Sequence, residues 1–133
     1  MAVRFFVDAN IGQNLVKGLN ALGYTNIEHI SDKFSEGEID EVWLKYVGEN
    51  GLVLITKDKR IRKNPKEKAL LQRYGIVAIY LGGNAMGIKE TSKQIINAWD
   101  KMEACAERQI KKRMAGAFLV PPHGGRIIEI PLS

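Results

Sequence analysis

The sequence predicts an α/β fold, a mainly parallel sheet of four to five strands with helices on both faces, on three observations. Short apolar runs rich in β-formers recur at residues 3–7, 52–55 and 76–81. These runs are continuous, as strands buried on both faces are. Between them lie stretches whose apolar residues fall at helical spacing. Strands that alternate with helices imply parallel pairing through right-handed crossovers.

Each element follows in turn. Residues 3–7 give the first strand. Ile11, Leu15, Val16, Leu19 and Leu22 mark a helix that Gly23 closes. Residues 27–30 read as a weaker second strand. Val42, Leu44, Tyr46 and Val47 belong to a second helix, with Asp40 near its start and Gly51 after its end. The strand at 52–55 precedes Asn64-Pro65, which opens a short helix through Leu70, Leu71 and Tyr74, because proline's missing N–H is no loss in a first turn. The strand at 76–81 stops at Gly82-Gly83-Asn84. A long helix over 88–114 then places Ile95, Trp99, Met102, Ala106 and Ile110 on one face. Residues 118–120 and 126–130, joined by Pro-Pro-His-Gly-Gly, read as a terminal hairpin or arm. With no linker, repeat or low-complexity stretch, residues 1–133 are expected to form one domain, 1–115 its α/β core and 116–133 the hairpin or arm.

Composition narrows the function. A chain that is 45% hydrophobic and 26% charged has apolar material for a core without covalent staples. The longest apolar run, 76–81, is too short to cross a bilayer, and the N-terminus lacks the features of a signal peptide. A cytoplasmic protein with no membrane partner is the expectation. Cys105 is the sole cysteine, so an internal disulfide is excluded, and with only His29 and His123 a structural zinc site lacks ligands. The net charge of +5 points to a polyanionic partner. Basic residues crowd segment 57–73, opposed there only by Asp58 and Glu67, and again at Arg108, Lys111, Lys112 and Arg113. Residues 28–49 are acidic, so opposite charges flank one short strand.

In parallel sheets ligands bind beyond the carboxyl ends of the strands. Asp8 directly follows the first strand, and Asp58 follows the third after Thr56-Lys57. Asp40 begins the helix between them. Each alone has a structural explanation: Asp8 as a helix cap, Asp40 as a first-turn acid, Asp58 as a cap or a lysine partner. Three acids on one predicted edge repel one another, and hard cations such as Mg²⁺ or Mn²⁺ offset that repulsion. Such ions activate water and neutralise phosphate in phosphodiester cleavage. Asn10 and Thr56 are candidates to orient a carboxylate or water, and Asp32, which follows the second strand, is a weaker one.

These residues resemble a known family. Phe6-Val7-Asp8-Ala9-Asn10, Asp40-Glu41 opening a helix, and Leu54-Ile55-Thr56-Lys57-Asp58-Lys59 are similar to PIN-like domains of the VapC toxin type. The likeness spans roughly residues 4–81, with Thr-Lys-Asp after an apolar strand its most specific part. It implies a three-layer PIN-like or Rossmann-like fold and a Mg²⁺- or Mn²⁺-dependent ribonuclease, commonly a toxin silenced by an antitoxin protein. It assigns Asp8, Asp40 and Asp58 to the metal. Many members carry a fourth acid just after the third, where this chain has Lys59, Arg60 and Arg62.

Lys57, Lys59, Arg60 and Arg62 stand next to Asp58 and are expected to contact RNA phosphates, although charge runs are more usually solvated faces. Trp43 and Trp99 are read as core, Tyr46 and Tyr74 as packing or base-stacking residues, and His29 as a satisfied strand histidine. The expected function is therefore metal-dependent RNA cleavage. A housekeeping nuclease or phosphatase with the same acids, or an RNA- or protein-binding module that has lost catalysis, remains the alternative. Whether the chain pairs with a second copy of itself stays open.

Overall fold

Strands form where the apolar runs lie: β1 (Phe5–Val7), β2 (Ile27–His29), β3 (Val53–Thr56), β4 (Val77–Leu81), β5 (Gly116–Val120) and β6 (Ile128–Ile130). The helices are α1 (Gln13–Ala21), α2 (Asp40–Glu49), α3 (Pro65–Arg73) and α4 (Ile88–Lys111), with a 3-10 turn at Ile30–Asp32. These elements come from a computed structural model that describes residues 3–58, 63–83 and 87–132.

The sheet order is β2-β1-β3-β4-β5-β6, parallel throughout except for the β5–β6 pair. Two-residue periodicity divides the core into two layers. Phe5, Val7, Val53, Ile55, Val77 and Ile79 face α1 and α4, where they meet Leu15, Leu19, Ile95, Trp99 and Met102. Phe6, Leu54, Ala78 and Tyr80 face the other way, onto Trp43, Leu44 and Val47 of α2 and Leu71 of α3. Trp99 packs edge-on against Phe5 at 5.0 Å, while Trp43 stacks on Phe6 at 5.9 Å. The two tryptophans thus anchor opposite layers of a three-layer α/β fold, as the sequence predicts.

The terminal hairpin is part of this sheet and raises its strand count to six. α4 carries the chain back across the sheet, so that β5 enters beside β4 in register from Val77–Gly116 to Leu81–Val120. Gln109 fixes the entry by donating to the carbonyls of Met114 and Ala115, both at 3.1 Å. Its side chain fills the space a Cβ on Gly116 would need, 2.7 Å away. β6 then returns antiparallel and forms the sheet's edge. Among the described residues no helix is long and apolar enough to cross a membrane.

Two helical glycines make a paired test of this packing. A Cβ on Gly48, near the end of α2, would stand 2.5 Å from the Tyr74 carbonyl oxygen just past α3. Gly18, exposed in the middle of α1, has open space around it. Gly48→Ala is expected to destabilise by about 1–3 kcal/mol, and Gly18→Ala to stabilise by about 0.5–1 kcal/mol through helix propensity. Urea denaturation midpoints of the two variants check the signs, and a stabilised Gly48→Ala protein would contradict the α2–α3 contact.

Candidate functional site

The strand order contains one reversal. From β1 the chain moves outward to β2, then returns past β1 to β3 and continues the other way. At such a switch point the flanking connections diverge and leave a crevice beyond the carboxyl ends of the central strands. Here that crevice lies over β1 and β3, whose ends carry Asp8 and Asp58. A cleft of about 450 Å³ opens there, lined by Asp8, Asn10, Asp40 and Asp58 together with Phe34 and Trp43.

Asp8 is the most constrained member. It is only 3% exposed. Helix α1 is capped by Gly12 without a side-chain bond, so Asp8 is not its cap. Its carboxylate instead accepts the Thr56 hydroxyl from the neighbouring strand and the Asn10 backbone N–H at 3.2 Å. The hydrogen-bond network turns the Asn10 amide nitrogen toward both carboxylate oxygens, at 3.2 and 3.1 Å. Thr56 also accepts the Asp58 backbone N–H at 2.9 Å, which ties the two acidic strand ends together. Burial pushes the Asp8 carboxyl up to about 7; the bonds from Thr56 and Asn10 oppose that rise, and the charges of Asp58 and Asp40 add to it.

Asp40 opens α2 at its first turn, where Ile39 is the cap and makes no side-chain bond. The Trp43 indole N–H, one turn on, donates to Asp40 Oδ1 at 3.1 Å. Trp43 therefore does more than fill the core: it fixes the direction of an acid at the cleft.

The structure adds a fourth acid that the sequence reading passes over. Asn64 caps α3 by accepting the Lys66 N–H, Pro65 takes the first position, and Glu67 follows in the first turn. Its carboxyl is pushed up to about 7, by burial first, then by hydrogen bonding to Asp40 and by the charges of Asp40 and Asp58. Two carboxyls bond in this way only when one holds a proton. With both ionised, Glu67 Oε2 is left buried without a hydrogen-bond partner. The signal was available: Glu67 begins the helix after β3 as Asp40 begins the helix before it. Its setting among lysines and arginines hid it.

Other candidates have different surroundings. Asp32 faces the 3-10 turn, its Oδ2 accepting the His29 N–H at 3.0 Å while His29 Nδ1 accepts the Ser31 N–H at 3.1 Å, a reciprocal cap. His29 is buried, and its Nε2 donates to the Ile11 carbonyl at 2.6 Å, so it is the satisfied strand histidine the sequence suggests. Lys57 turns toward α4 and donates to Thr91 Oγ1 at 2.6 Å, with burial lowering its pKa. Tyr46 packs between Phe6 and Phe34. Lys59, Arg60 and Arg62 lie outside the described residues.

Oxygen donors alone suit a hard divalent cation rather than zinc. The burial of Asp8 and Glu67, the repulsion each meets from Asp40 and Asp58, and the orphaned Glu67 oxygen fit such an ion. Among the described residues, however, no three acidic, histidine or cysteine side chains form a finished metal cage. Asp8, Asp40 and Asp58 line the cleft with Glu67 against Asp40, and a bound cation would have to draw them inward.

A carboxyl whose folded pKa lies above its unfolded value takes up its proton on folding, so its contribution falls as pH rises. For Asp8 the window runs from the ordinary 3.8 to about 7. Stability in EDTA is expected to decline across that interval and level off above it, with Glu67 adding in the same direction. Asp8→Asn should remove at most about 4 kcal/mol of this penalty, raising Tm at pH 8 and leaving it nearly unchanged at pH 4. Thermal melts of both proteins across the range check this; a wild-type curve flat from pH 4 to 7 contradicts it.

The comparisons with known proteins fit this geometry. No curated protein and no solved structure gives a significant match. The family model described as a PIN like domain matches residues 3–83, more than half of the chain, from β1 to just past β4. The matched segment holds all four acids and the switch-point crevice, and on that match the chain belongs to the family of PIN-like domains.

Proposed function

We propose that this PIN-like domain is a metal-dependent endoribonuclease and the toxin of a toxin–antitoxin pair acting in the cytoplasm. The observation that carries the reading is the approach of Asp8, Asp40, Asp58 and Glu67 at the switch-point edge, two of them buried enough to rise to about 7. A Mg²⁺ or Mn²⁺ ion, if held by these acids, would supply charge neutralisation at the scissile phosphate and an activated water. The chain's own part is to aim the oxygens. Thr56 and Asn10 fix the Asp8 carboxylate, and Trp43 fixes Asp40. Phe34, half-buried at the cleft, offers a flat apolar surface to a base. An antitoxin that placed an arginine or lysine among the carboxylates would replace the cation and silence the site.

The open spacing of the acids supports one second reading, an RNA- or protein-binding domain with weakened catalysis. Cleavage separates the two. Asp8→Asn, Asp40→Asn, Asp58→Asn and Glu67→Gln should each cut Mn²⁺-dependent RNA cleavage by about 100-fold or more, and EDTA should abolish it. Trp43→Phe keeps the packing but loses the N–H, so metal affinity should fall by about tenfold while saturating metal restores the rate. Expression of the wild type should arrest growth, and that of Asp58→Asn should not. Wild-type protein that leaves total RNA intact in Mn²⁺ would favour the binding domain.

A further inference from the structure

Beyond residue 83 the chain builds a second charged feature, outside the segment the family model matches. Lys93, Lys101, Arg108 and Lys112 are separated by eight, seven and four residues. At roughly 100° per residue they fall on one face of α4 and its cap. The turn between β5 and β6 brings Arg126 opposite that face. Between helix and hairpin run two adjoining clefts of about 480 and 350 Å³ that share Lys101. Five cations line them against Glu90 and Glu129. Among the described residues none of the five is in an ion pair.

The groove connects with the acidic edge by topology. Gln94 donates to the carbonyls of Gly82, Val120 and Pro121 at 2.9, 3.1 and 3.2 Å, so the early turns of α4 sit at the carboxyl ends of β4 and β5. From there α4 runs back toward the amino end of β5, taking Arg108 and Lys112 with it. The groove mouth is two strand spacings from β3, roughly 10 Å. Lys57, bonded to Thr91, stands between the acids and the mouth.

Resting on the nuclease reading above, we propose that this groove binds the sugar–phosphate backbone of single-stranded RNA that extends from the cleavage site. Like charges held along one cleft repel each other until a polyanion neutralises them. Arg108 and Arg126 provide planar forks suited to phosphate. The cations follow one face of a helix that starts at the carboxyl edge of the sheet, which suits a chain of phosphates passing along it better than a compact acidic patch on a protein.

The test uses the full chain and a labelled 20-nucleotide single-stranded RNA, with anisotropy read in EDTA over a KCl series so that no metal or cleavage enters. Arg108→Ala combined with Arg126→Ala should raise Kd by about tenfold and flatten the log Kd–log salt slope by up to about 1.4, or about 0.7 for each lost contact. Both residues are exposed, so Tm should hold. Should that pair fail to fold, Lys101→Ala with Lys112→Ala serves and should give the same result. Unchanged Kd and slope in a folded pair overturn the proposal. So does a loss of polyglutamate binding with RNA binding intact, which would make the groove a docking face for an acidic protein. Metal-dependent cleavage by a wild type whose slope ignores these residues sinks the groove alone. Groove-dependent binding without cleavage sinks the nuclease reading alone.

Discussion

The structure turns on a carboxylate held almost out of water. Asp8 is fixed at the end of β1, inside the sheet's own hydrogen-bond frame, and ionising it there costs several kcal/mol unless something compensates. The compensation within the chain is partial. Thr56 and Asn10 supply donors, but the nearest charges, Asp58 and Asp40, have the same sign. An apolar side chain at this position would suit stability better. Fold and site are therefore linked at one point: parallel β1 and β3 must align for Thr56 to reach Asp8, and the same alignment brings Asp58 alongside.

Much of this was legible in the sequence because a parallel sheet buried on both faces writes its strands as unbroken apolar runs. The runs at 52–55 and 76–81 lie within a residue or so of β3 and β4. Asp8, Asp40 and Asp58 were legible for a related reason, since strand ends and helix starts at one edge follow from the alternation itself. Pairing partners at long range were harder to see. Residues 116–120 carry no mark in sequence that they will align with β4, so the hairpin looked detachable when it is the continuation of the sheet. Asp32 shows the opposite difficulty: its place after β2 resembles that of Asp8 after β1, and only the reciprocal bonds with His29 reveal a cap.

Glu67 and Trp43 illustrate how composition misleads. Within a basic segment an isolated glutamate reads as a lysine's partner, yet in the first turn of α3 burial and the bond to Asp40 outweigh the charge of Lys66 beside it. A tryptophan on the apolar stripe of α2 reads as core, and it is core, at 4% exposure. Its single polar atom nevertheless decides where Asp40 points. Both cases follow from the period of the helix: residues one turn apart share a neighbourhood that a linear charge tally cannot register.

Separation of the charges completes the physical picture. A lysine or arginine lodged among the four acids would neutralise them, and the cleft would then gain little from a divalent ion. Among the described residues Lys57, next to Asp58 in sequence, bonds Thr91 of α4, and the charge of Lys66 only partly offsets the rise at Glu67. Five further cations collect between α4 and the hairpin, on the far side of β4. Cations gathered there do not compete for the acidic cleft, while the net charge of the chain still draws in a polyanion. A nuclease needs both properties at once, and in this fold they are compatible because different segments supply them: the matched segment to residue 83 carries the acids, and the helix and hairpin that follow carry the groove.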